Sequence, residues 1–233
     1  MTAVAPVEDP TVHRVRVWDL PTRLFHWLLA ACVIAQVVTG KIGGAAMSWH
    51  FRIGYCVFAL IGFRLVWGLI GGRWSRFSSF LYAPATVLRY LRGEHRPADH
   101  FHVGHNPLGM GSILAMLLIL IVQIATGLVA DDEIANLGPL NKFVSSATAL
   151  SATAWHKGPG QALLILLVVL HIGAIVYYRV RRRQNLVQPM ISGDKQLPSG
   201  VPASEDTRLT RVRALALIAI WAGIVASVVK LGG

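Results

Sequence analysis

The sequence predicts an all-α integral membrane protein with five spanning helices, and three observations carry that prediction. Of 233 residues, 54% are hydrophobic and only 14% charged, where an ordinary soluble domain carries about 25% charged residues. The apolar residues are gathered into long runs, and about 20 apolar residues of helix are enough to cross about 30 Å of hydrocarbon. The 22 lysines and arginines fall mostly in alternate connections between those runs, as topology-setting residues do.

The runs are Leu24 to Gly40, Phe51 to Ile70, Leu108 to Ala130, Ala162 to Tyr178 and Ala214 to Val229, the last within a fifth helix over 212–230. Asn106 can cap the third, with Pro107 suited to its first turn, and Gly158-Pro159-Gly160 opens the fourth. Sixteen of the cations flank one side: Arg14, Arg16 and Arg23, then Arg73 to Arg96, then Arg179 to Arg213. Five lie opposite (Lys41, Arg52, Lys142, Lys157 and Lys230), and Arg64 sits inside the second run. The positive-inside rule therefore puts the N-terminus in the cytoplasm and the C-terminus outside. Met1 to Asp9 has no apolar core and reads as no cleavable signal peptide.

The loop Gly71 to His105, with Arg73, Trp74, Arg76, Phe77, Phe80 and Tyr82, suits an amphipathic segment lying at the lipid headgroups. Asp131 to Lys157 reads as a small, polar outer loop, its acidic triplet Asp131-Asp132-Glu133 solvated. Gln184 to Asp206, rich in proline and glycine, reads as a flexible linker within 184–211. No internal repeat stands out, which argues against a transporter. The net charge of +11 is spent on topology, so nucleic acid is not an expected partner. Cys32 and Cys56 form neither a C-x-x-C-H haem-attachment motif nor a zinc spacing and read as small buried thiols.

Nine histidines remain to be explained. An ionisable group in or beside a membrane helix is costly and marks function by default. The two axial ligands of one haem iron must lie at one depth, and topology sorts the histidines accordingly. His50 and His156 share the outer level; His26 and His171 share the inner one, with His105 competing as a helix-start residue or a contributor to an inner haem or quinone site. His156 and His171, 15 positions apart, would be about 22 Å apart on one continuous helix and about 60° apart around it, so both could face the bundle interior. Two b-type haems held between helices, each by two imidazoles, follow as the expected cofactors. His13, His95, His100 and His102 read as interfacial. Arg64 would need an anion, and no carboxylate occurs in the five runs, so an inner haem propionate is its expected partner, with snorkelling as the alternative. Arg52 could serve the outer haem, although headgroup contact is the stronger reading there.

The stretches VWDLPTRLFHW around His26, HFRIGY from His50, FRLVWG around Arg64, GHNPLG around His105, LVVLHIGA around His171 and NLVQPMISG after the fourth run span roughly Val15 to Gly193. In these stretches the chain resembles the bacterial cytochrome b561 family, related to the b-type cytochrome subunits of nickel–iron hydrogenases and formate dehydrogenases. The resemblance implies a four-helix haem-binding bundle over residues 1–183, with His26 and His171 on an inner haem and His50 and His156 on an outer one. The fifth helix lies beyond that core and could dock a partner. The function implied is electron transfer between the quinone pool and an extracytoplasmic partner, a c-type cytochrome or a dehydrogenase or hydrogenase subunit, with no catalytic acid or base of its own. Self-association as a homodimer is also open to such a bundle. The competing classes are a stand-alone haem quinone reductase acting on a small substrate such as superoxide, and a haem-free scaffold or transporter.

Overall fold

A computed structural model describes residues 12–94, 96 and 99–232; the N-terminal stretch read for a signal peptide and the interfacial His95 lie outside them. Among the described residues, five helices are long and apolar enough to cross a membrane. They are α1 (Leu20–Ile42), α2 (Met47–Ile70), α4 (Pro107–Val129), α6 (Pro159–Arg181) and α8 (Arg208–Gly232). Three shorter helices accompany them: α3 (Pro84–Leu91), α5 (Ser146–Lys157) and α7 (Val187–Ser192). The chain is thus a multi-pass membrane protein, and its backbone polar groups are satisfied within helices, as hydrocarbon demands.

The helix starts follow capping chemistry. Asp19 accepts from the Thr22 amide at 2.7 Å, Asn106 from Gly109 at 2.8 Å and Ser145 from Thr148 at 3.2 Å, while prolines occupy the first turns of α1, α4 and α6. Helix α1 pairs with α2, and α4 with α6 and α5; α2 also meets α4. A core of Val57, Ile61, Leu117, Ile119, Leu120 and Leu164 fills the middle of this group. Helix α8 lies against α2 and, more lightly, α1. The seam is set by Gly62, where a β-carbon would come within 2.3 Å of the Trp221 ring.

The connections at the basic end are more ordered than the sequence suggested. The expected flexible linker after α6 instead builds α7 and a strand, β2 (Asp194–Pro198), that pairs antiparallel with β1 (Val12–Arg16). Its backbone finds partners: the Gly193 carbonyl accepts from Val17 and Trp18 at 2.8 and 3.0 Å, and Ser204 donates its amide to Arg16 at 2.7 Å. Asp206 gathers Arg16 at 2.5 Å and Arg211 at 3.0 Å. Burial opposes the charged Asp206 carboxylate, but the hydrogen bonds from Arg211 and the Leu20 amide outweigh it and keep its pKa below the usual range.

Within the aromatic loop after α2, Trp74 and Phe80 are buried, while Leu81, Leu88 and Leu91 stay exposed. Trp74 joins Val15, Val17, Trp18 and Val103 in a core beneath the paired strands β1 and β2. At the opposite end the expected loop contains α5, and Cys56 is exposed on α2 while Cys32 is half-buried. Asp132 organises the acidic triplet as a turn, accepting from the amides of Ile134, Ala135 and Asn136.

One buried carboxylate joins the first two spanning helices. Asp19, fully buried, caps α1 and also accepts from Trp67 Nε1 at 3.3 Å, the Gly72 amide at 3.0 Å and Ser75 Oγ at 2.9 Å. Asp19→Ala leaves these donors unpaired, so it should destabilise the detergent-solubilised protein by about 3 kcal/mol. Thermal unfolding followed by circular dichroism checks this, and an unchanged midpoint would remove Asp19 from its role as a joint.

Candidate functional site

Four histidines meet in two pairs, one towards each end of the spanning helices. His26 on α1 faces His171 on α6 with ring centroids 6.4 Å apart and planes at 53°. His50 on α2 faces His156 on α5 with centroids 6.1 Å apart and planes at 79°. All four are half-buried. His26 lies in the second turn of α1 and His50 in the first turn of α2, so the connectivity places the pairs about 20 Å apart along the bundle.

The fourth spanning helix opens at Pro159 as expected, but His156 lies on a separate helix before it. α5 stops at Lys157, and α6 restarts at Pro159 after Gly158, whose backbone is neither helical nor extended. Proline cannot donate an amide to the preceding turn, which explains the break. The estimate along a continuous helix therefore does not describe how His156 and His171 are related, although each still finds its partner across the bundle.

The outer pair is locally well held. Nδ1 of His50 lies 3.1 Å from the Gln36 carbonyl and 3.3 Å from Thr39 Oγ1. Nδ1 of His156 lies 3.0 Å from the Gln123 carbonyl. A carbonyl only accepts, so each Nδ1 carries the proton and each Nε2 is left with a free lone pair, the state needed to bind a metal. Sequence reasoning missed Gln36, Thr39, Gln123 and Thr126; a glutamine and a threonine near the ends of two apolar runs were the available signal.

The inner pair has different surroundings. Nδ1 of His26 is buried without a hydrogen-bond partner. Arg64 is 5% exposed, its Nη1 also lacks a partner, and its guanidinium lies over the Phe77 ring at 4.8 Å. The fully buried Asp19 carboxylate attracts this cation, but no hydrogen bond reaches its Nη1, so the environment fits a further anionic group. Arg52 is exposed, with its guanidinium over the Trp49 ring at 5.2 Å. His105 is half-buried between Trp18 and Phe80, with centroids at 4.6 and 4.9 Å, and its Nδ1 is buried without a hydrogen-bond partner. His13 lies in β1, and His100 and His102 lie in the loop before α4.

Among the described residues no three or more His, Cys, Asp or Glu side chains cluster to hold a metal ion. Each histidine pair supplies two ligands and would need the remaining ones from a cofactor. A tetrapyrrole supplies four in a plane, and the half-buried, opposed imidazoles together with the unpaired Arg64 fit such a group. A family described as prokaryotic cytochrome b561 matches residues 17–193, three quarters of the chain.

The chain belongs to the prokaryotic cytochrome b561 family. Its relatives include probable Ni/Fe-hydrogenase B-type cytochrome subunits from several bacteria. That of Bradyrhizobium diazoefficiens is 28% identical, covering 82% of this chain and 88% of the relative. That of Cupriavidus necator is 27% identical (81% and 90%), and that of Escherichia coli K12 is 22% identical (76% and 88%). No solved structure matches. Membership of this b561 family implies haem b as the cofactor, while α8 lies beyond the matched residues.

His105 gives the b561 chain a distinct acid sensitivity. Burial, with the nearby Arg64 and Lys195 charges, pushes its pKa down to about 3. The unfolded chain takes up this proton near the ordinary histidine value of about 6.5. Between those values the unfolded state binds more protons, so stability falls as pH drops. His105→Phe should therefore flatten the loss of stability between about pH 6.5 and 3, measured by thermal unfolding across pH; an unchanged profile would refute this role.

Proposed function

We propose that the chain is a di-haem membrane electron-transfer subunit. In this reading α1, α2, α4 and α6, with α5, form the haem-binding bundle of residues 1–183. Residues 184–211 connect it to α8, the fifth, accessory spanning helix. The two opposed imidazole pairs carry the proposal. A metal–imidazole bond of about 2.0 Å places each ring centre about 3 Å from the metal, so two rings sharing one metal have centres about 6 Å apart. The pairs at 6.4 and 6.1 Å agree with that spacing.

Bound haem supplies a one-electron couple. His26 and His171 would hold it at the inner site, and His50 and His156 at the outer. Two histidines on one iron would leave it no open position for a substrate, which suits electron transfer. Arg64 would neutralise an inner propionate. The apolar core between the pairs, including Ile61 and Leu120, excludes water from the route between them.

The relatives named as hydrogenase cytochrome subunits support a partner of that kind on the periplasmic side, with the quinone pool as the other electron exchanger. A periplasmic c-type cytochrome or another dehydrogenase fits the same chemistry. The proposed orientation in the inner membrane follows the one-sided lysines and arginines.

Purified protein should contain two haems b per chain. His26→Ala and His171→Ala should each remove the same haem, and His50→Ala and His156→Ala the other, read by haem content and redox titration. One haem in the native chain, or crossed pairing among the variants, would overturn the assignment. In membranes containing a Ni/Fe hydrogenase, hydrogen should reduce the haems and added quinone should reoxidise them. Quinone reduction driven by superoxide without a protein partner would favour the enzyme reading instead.

Arg64→Met tests the arginine's proposed role. The change should lower haem retention at the inner site during detergent dialysis. Equal haem retention would disconnect Arg64 from the cofactor.

A further inference from the structure

We propose that the outer histidines are set by two copies of one holder, and that this holder tunes the potential of the outer haem. The inference rests on the reading that His50 and His156 share a haem.

The first copy lies on α1 and the second on α4, in the segments QVVTG (36–40) and QIATG (123–127). Each glutamine accepts from a histidine Nδ1 through its backbone carbonyl and donates from its side-chain Nε2 to that histidine's own carbonyl. For Gln36 and His50 these distances are 3.1 and 2.6 Å; for Gln123 and His156 they are 3.0 and 3.1 Å. The threonines repeat as closely. Thr39 Oγ1 is 2.7 Å from the Ala35 carbonyl and 3.3 Å from His50 Nδ1, while Thr126 Oγ1 is 2.7 Å from the Val122 carbonyl and 3.2 Å from His156 Nδ1. Each hydroxyl gives its hydrogen to its own helix, so towards the histidine it can only accept.

The glycines complete the match. A β-carbon at Gly40 or at Gly127 would stand 3.1 Å from the Cε1 atom of the facing histidine. Four residues after each histidine, Gly54 and Gly160 face the corresponding glutamine, where a β-carbon would lie 3.3 Å from Gln36 Nε2 or 2.2 Å from Gln123 Oε1. The repeated pattern is therefore Q-x-x-T-G on one helix facing H-x-x-x-G, which lies within α2 in the first copy and crosses the break from α5 to α6 in the second. The sequence shows no longer repeat because only this corner is duplicated.

The chemical consequence has a sign. An Nδ1–H shared between two acceptors makes the imidazole a stronger donor at Nε2, as outer-shell partners of metal-bound histidines do. A stronger donor favours the oxidised metal and lowers its potential. Thr39 and Thr126 are thus positioning residues that act through the histidines.

The test is a redox titration of the purified two-haem protein, with electron paramagnetic resonance of each haem. Thr39→Val and Thr126→Val should each raise the potential of the haem that His50→Ala removes, with a larger shift in the double variant. The other haem should not move, and Thr→Ser at either site should restore the native value. Gly40→Val should displace the His50 ring and remove the outer haem alone. Loss of the outer haem in the double valine variant, with retention in the double serine variant, also supports the holder. Unchanged potentials, equal shifts in both haems, or failure of serine to restore would overturn it. Retention of both haems in His50→Ala would instead defeat the underlying ligand assignment, which keeps the two failures distinct.

Discussion

Two imidazoles that must approach one point from opposite sides constrain every helix that carries them. His26 and His171 reach from α1 and α6, while His50 and His156 reach from α2 and α5. Each pair therefore bridges the α1–α2 layer and the α4–α6 layer at a fixed depth. Helices packed tightly along their whole length would leave no room for such facing rings. The apolar core concentrated between the pairs holds the layers together while the ends stay apart. In lipid, close packing of side chains is a main source of helix association, because apolar burial alone discriminates little between protein and lipid.

The depth of the inner pair depends on the basic end. Asp19 fixes the start of α1 against Trp67 and the residues just after α2, and His26 lies seven residues beyond it. Arg64 stands one turn before Trp67 on α2. A single carboxylate thus sets both the inner histidine and the inner cation relative to one another. The β1–β2 pairing and the Asp206 cluster hold the N-terminal strand and the approach to α8 over this joint. α8 then closes against α2 through Gly62 and Trp221. Its contacts with Phe25, Leu60 and Phe63 cover the outer face of α1 and α2, which gives the helix a packing role whatever else it binds.

The spanning helices were readable because hydrocarbon leaves few alternatives: long apolar runs, prolines at helix starts and side-chain caps all agreed. Depth grouped the histidines, leaving His105 as a competitor at the inner level, and the family resemblance supplied the pairs whose rings face one another. What escaped was decided by tertiary partners. Trp74 has the composition of an interfacial residue, and the paired strands β1 and β2 with Val103 draw it into a core. The segment 184–206 has the prolines and glycines of a linker, but β1 offers it a strand edge. The opening of the fourth spanning helix at Pro159 was legible, but the separate helix α5 that carries His156 was not. The Gln–Thr–Gly holder was hidden because its two copies are short and set on helices that are otherwise dissimilar.

The two sites differ in a way that follows from these placements. At the outer pair each Nδ1 meets a carbonyl and a hydroxyl, so both imidazoles gain donor strength and favour an oxidised metal. At the inner pair Nδ1 of His26 has no partner, and a buried guanidinium stands nearby with unsatisfied hydrogen-bonding capacity. A positive charge in a low-dielectric setting favours the reduced state of a neighbouring redox group. Anionic propionates would offset part of that charge, but they would not reproduce the outer hydrogen bonds. If each pair holds a haem as proposed, both differences would act in the same sense, lowering the outer potential relative to the inner one. The inequality would arise from ordinary helical residues: a duplicated threonine and glutamine at one end, and one buried arginine at the other.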